Sequence, residues 1–159
     1  MAVLHAGLDR FGPKAYTRIM RRLLFHIGML AGITVIVFFG TGFLSLMAED
    51  PVLTAVVAKY GPNGRMLALV LLWLDTVFGL TIALGSALMG RRTMAPTRRG
   101  PMAAAIGYIL LIPTFAWAAL DSWNTYQEAS RALPLLLPGV FCLAMAVVCL
   151  IQWNRAKNA

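Results

Sequence analysis

Apolar residues run along this chain in four long blocks, and polar or charged residues gather between them. The blocks cover residues 23–47, 66–90, 101–120 and 132–153. Each is about as long as the roughly 20 apolar residues that cross a bilayer core. Three carry no formally charged residue, and the second carries one, Asp75. A buried helix of a water-soluble domain needs one short apolar run, not four long ones in 159 residues. The pattern predicts an all-α integral membrane protein, a single four-helix domain over 1–159 with four transmembrane helices.

The first block follows an arginine-rich approach, as the apolar core of a secretory leader does. It is about twice the usual 7–15 residues of such a core, and a cut after Ala48 would put Leu46 where a small residue is needed. An uncleaved first helix is expected.

The stretches between blocks have patterns of their own. "PKAYTRIMRRLLF" places Tyr16, Ile19, Met20 and Leu23 at helical spacing, with Arg18, Arg21 and Arg22 largely on the other side. That predicts a basic amphipathic segment over 13–22, lying on the membrane surface and leading into the first span. "EDPVLTAVVAKYGPNG" offers Asp50 as an N-cap, Pro51 at the first helical position and Gly61 as a stop. Val52, Leu53, Val56, Val57 and Tyr60 share one face, so a short interfacial helix is expected in this connection. "RRTMAPTRRG" reads as a basic loop with no chemistry in it.

Composition agrees with the pattern: 60% of residues are hydrophobic and 13% charged, where soluble domains average about a quarter charged. The net charge of +8 would suggest a nucleic-acid partner until the charges are placed. Arg10, Lys14, Arg18, Arg21 and Arg22 precede the first span. Arg91, Arg92, Arg98 and Arg99 fill the second connection, and Arg155 and Lys157 follow the last span. These segments fall on one side of a four-span chain. The other side has Lys59, Arg65 and Arg131 against Glu49, Asp50, Asp121 and Glu128. Basic residues in short flanks stay inside, so both termini are expected in the cytoplasm, in a bacterial-type inner membrane. The basic residues then serve orientation and anionic headgroups, and the lipid bilayer, not nucleic acid, is the partner. Tyr60, Trp123, Tyr126 and Trp153 fall at span ends, where amphipathic rings meet headgroups.

Within the spans, small residues mark where helices can approach. Gly28 and Gly32 stand in GxxxG spacing on the first, with Gly40 and Gly42 further along. Gly79, Ala83 and Ala87 recur every fourth residue on the second, with Asp75 one step earlier on the same stripe. Asp75 is therefore expected to face protein, as an intramembrane carboxylate must. It lies about 13 Å into its span at about 1.5 Å per residue. Thr34, Thr114 and Cys142 are expected at a similar depth, and Pro113 and Pro138 bracket the layer. Those prolines deprive the Ile109 and Pro134 carbonyls of their helical donors. A protonated Asp75 would have a threonine hydroxyl or one of these carbonyls to donate to, and Asp75, Thr34, Thr114 and Cys142 form the candidate coupling or intersubunit site.

Other chemistry finds little footing. A haem-binding bundle needs histidine ligands, and beside His26 there is only His5. Cys142 and Cys149 stand about 10 Å apart on one helix, too far for a disulfide. His, Cys, Asp and Glu never cluster at ligand spacing, and no cofactor is expected. No nucleophile–base pair, HExxH or phosphate loop occurs, and Asp121 and Glu128 are expected to lack a partner base. Two functions remain. One is a non-catalytic small subunit of a larger membrane complex, of transporter or respiratory type, contributing helix packing and assembly. The other is a small homo-oligomeric transporter or channel with Asp75 as its proton- or cation-coupling site. Four spans with both ends inside is similar in topology alone to the small membrane subunits of tripartite solute transporters.

Overall fold

The computed structural model describes residues 13–90 and 99–157, which are helical apart from short connections. Five helices follow in order: α1 (Pro13–Met47), α2 (Pro51–Ala58), α3 (Gly64–Gly90), α4 (Arg99–Tyr126) and α5 (Ala129–Lys157). All but α2 are long and apolar enough to cross a membrane. The basic segment 13–22 is not an element of its own, because α1 runs through it into the apolar block without a break.

Helix ends explain where the boundaries moved. The expected connection 121–131 shrinks to Gln127 and Glu128, since α4 continues to Tyr126 and α5 begins at Ala129. Gln127 adopts a left-handed φ of 53° and its N–H bonds the Trp123 carbonyl at 2.7 Å. That closes α4 with a left-handed cap normally supplied by glycine. Glu49, with φ 61°, does the same for α1. Its N–H bonds Leu46 O at 3.3 Å and the next N–H bonds Ser45 O at 3.0 Å, the paired bonds of a Schellman end. Asp50 then starts α2, its Oδ1 accepting from Val52 N at 2.9 Å and Leu53 N at 3.2 Å.

The long helices pack in sequence order: α1 on α3, α3 on α4, and α4 on α5. α2 rests on the ends of α3 and α1. α1 and α5 do not pack as a pair, so the helices form a row and not a closed ring. Leu24 and Phe39 from α1 share one cluster with Cys142, Met145, Ala146 and Cys149 from α5, built around Ile82, Tyr108 and Leu111. Large apolar side chains cover the rest of the row, among them Leu30, Phe38, Leu84, Leu120, Leu137 and Val140. In water such a surface drives association, whereas lipid tails solvate it.

Between the helices the contacts are close because small residues allow it. A Cβ on Gly32 would stand 2.7 Å from Ala83 N and 2.9 Å from Gly79 O. A Cβ on Gly79 would stand 2.7 Å from Val35 Cγ1. Dispersion across such contacts is what holds helices together where burial in lipid offers no net gain.

Candidate functional site

The buried face of α3 carries Asp75, Gly79, Ile82, Ala83, Gly85 and Ser86. All but Gly85 recur at three- and four-residue steps and so line a single stripe. It is apolar in the middle and polar at both ends. Asp75 is 3% exposed and lies about 16 Å from the start of α3 at about 1.5 Å per residue. Thr114 of α4 donates from Oγ1 to Asp75 Oδ1 at 2.8 Å. No basic side chain pairs with Asp75 among the described residues. The chain's own helices cover the acid.

Of the four residues placed in this layer by depth, only Asp75 and Thr114 meet. Thr34 is exposed on α1, because Gly32 faces α3 and two further residues turn the helix by about 200°. Cys142 is buried in the cluster shared by α4 and α5. The freed carbonyls are not used by the acid either: Pro113 and Ile109 lie on the exposed side of α4, and Pro134 is exposed on α5.

At the other end of the stripe stands a pair of hydroxyls outside the predicted set. Ser86 and Tyr108 are 0% and 1% exposed. Among the described residues neither Ser86 Oγ nor Tyr108 Oη has a hydrogen-bond partner. Both approach Gly28 of α1, where a Cβ would overlap Ser86 Oγ and stand 3.7 Å from Tyr108 Oη. Gly28 thus meets Ser86, while Gly32 meets Gly79 and Ala83. The sequence did carry a signal for Ser86, which continues the stripe of Asp75, Gly79 and Ala83 by whole turns. Tyr108 had none, since its apolar neighbours hide the direction of its ring.

At the end of the row that carries α2, charges pair. Lys59 Nζ meets Asp121 Oδ2 at 2.8 Å, Arg65 Nη1 meets Glu49 Oε1 at 2.9 Å, and Arg131 Nε meets Glu128 Oε2 at 2.9 Å. This corrects the expectation that Asp121 and Glu128 lack a base. Accepting from Lys59, the Asp121 side chain holds the ammonium above its ordinary 10.5, with a smaller contribution from Tyr60. Tyr60 also packs on Trp117 at 5.5 Å between ring centroids, so the α2 connection is tied to α4 twice. At the opposite end Arg21, Arg22, Arg99 and Arg155 are exposed. Arg91, Arg92, Arg98 and the side chain of Arg18 lie outside the described residues.

Among the described residues no three of His, Cys, Asp and Glu gather at metal-binding distance. Cys142 and Cys149 are free and buried, and His26 is exposed beside the Phe25 ring. The arrangement can hold helices in register and keep a carboxyl group in the middle of the row. The chain matches no family model, no curated protein and no solved structure.

Proposed function

We propose that the chain is a non-catalytic membrane subunit that assembles side by side with other membrane proteins. What supports this is a proline on the exposed side of α4, Pro113, which takes the usual helical donor away from the Ile109 carbonyl. Both residues face outward. The threonine hydroxyls of α3 and α4 are engaged elsewhere. Thr76 donates to Leu72 O, Thr81 to Phe78 O, Thr114 to Asp75 and Thr125 to Asp121 O. Ile109 lies about 15 Å from the start of α4, deep enough that lipid tails surround it. Tails have no donor, and an unpaired carbonyl there costs on the order of several kcal/mol. A polar side chain from a neighbouring protein would remove that penalty. The open row supports the same reading, because α1 and α5 do not close on each other.

The test is extraction in native lipid followed by mass measurement of the intact particle. A different membrane protein is expected in the particle. A lone monomer or a pure homo-oligomer would overturn the proposal.

The proposed orientation keeps both termini in the cytoplasm of a bacterial-type inner membrane. The exposed arginines at one end and the paired charges at the other support it. A Thr93→Cys variant should resist membrane-impermeant thiol reagents added outside, and an Asn63→Cys variant should react. The reverse labelling would invert the topology. Cys142 and Cys149, at 4% and 0% exposure, add little background.

One observation favours the transporter reading instead, namely a mid-span acid with no cation partner among the described residues. Its burial speaks against it, since a coupling site must meet its ion.

A further inference from the structure

Burying a hydroxyl with no partner costs about 1–3 kcal/mol, and here two such groups lie in one junction. Ser86 Oγ of α3 and Tyr108 Oη of α4 are both enclosed, both unpaired and both directed at Gly28 of α1. The direction of Tyr108 follows from its helix: side chains lean toward the N-terminus, and on α4 that is the end where Ser86 lies. Gly28 supplies no side chain, so Ser86 Oγ stands where a Cβ would, and Tyr108 Oη lies beside that place. The neighbouring small-residue contact at Gly32, Gly79 and Ala83 is made of backbone atoms, Ala83 Cβ and the Val35 side chain, with no polar side chain in it.

We propose that the Ser86–Tyr108–Gly28 junction binds one internal water molecule that bridges the two hydroxyls and ties α1, α3 and α4 together. Each hydroxyl has one proton to give and lone pairs to accept, which meets the two to four partners that a buried water needs. The stripe of α3 would then join α4 by two polar rungs, Asp75 to Thr114 directly and Ser86 to Tyr108 through water. A dry small-residue contact lies between them.

The experiment uses the full chain in lipid bilayers and solid-state NMR transfer from water protons. Transfer is expected to reach Gly28 Cα and Ser86 Cβ quickly, while Gly32 and Ala83, about one turn along, stay dark. If Gly28 and Ser86 are as dark as Gly32, the proposal fails. In that case the Ser86 hydroxyl turns onto the carbonyl one turn back, as serines in helices can.

A stability cycle gives a second readout. Ser86→Ala and Tyr108→Phe, which keep the packing shape, should each lower the folded-to-unfolded ratio by about tenfold. The double variant should fall no further than either single one, because no unpaired hydroxyl then remains. Additive losses would show two independent groups and overturn the bridge.

Discussion

Replacing Gly85 by alanine is expected to unseat α3 from α4 and to lower stability by about 3 kcal/mol, the upper end for overpacking a core. The added Cβ would stand 2.5 Å from Ala104 N, 2.7 Å from Gly100 O and 3.0 Å from Ala104 Cα. All three atoms are backbone, so no side chain can swing aside. The helices themselves must separate, and contacts made by Ala104, Tyr108 and Leu111 loosen together. Gly42→Ala is the control, since its Cβ would meet Leu72 Cδ2 at 3.5 Å, an ordinary contact with a flexible side chain. Reversible unfolding in mixed micelles measures both variants. Equal stability of Gly85→Ala and the parent chain would mean that α3 and α4 are not held at this distance.

The second large effect is expected at the other rung. Thr114→Val keeps the size of the side chain and removes the donor to Asp75 Oδ1. A buried acceptor left alone is expected to cost about 1–3 kcal/mol, more if it is charged. Asp75→Asn keeps an oxygen for Thr114 and should disturb stability much less than Thr114→Val. The same variant separates the two functional readings. In the subunit reading Asp75→Asn assembles normally and has no solute flux to lose. Loss of flux in reconstituted vesicles, with assembly intact, would instead make Asp75 a coupling site. If Thr114→Val proves neutral, the Asp75–Thr114 bond is not a structural tie.

The sequence by itself determined the class of the protein and the interior of each helix. Apolar blocks of membrane length lie within α1, α3, α4 and α5, and Asp50 caps a short helix after α1. Helical spacing alone puts Asp75, Gly79 and Ala83 on one side of α3. These properties are local, because 3.6 residues per turn relates each residue to its own helix whatever lies outside.

The tertiary structure decided which side meets which neighbour. Depth could not distinguish Thr34, which faces outward, from Thr114, which reaches Asp75. Lys59 and Asp121 are 62 residues apart and pair only because the α2 connection lies against α4. The ends of α1 and α4 were hidden because Glu49 and Gln127, not glycines, take the left-handed position. The order and rotation of the helices follow from how closely backbones approach at Gly32, Gly79, Gly85 and Gly107. In lipid that approach is governed by shape and hydrogen bonding, with little help from hydrophobicity. Hydropathy along the chain therefore marks the spans and is silent on their faces.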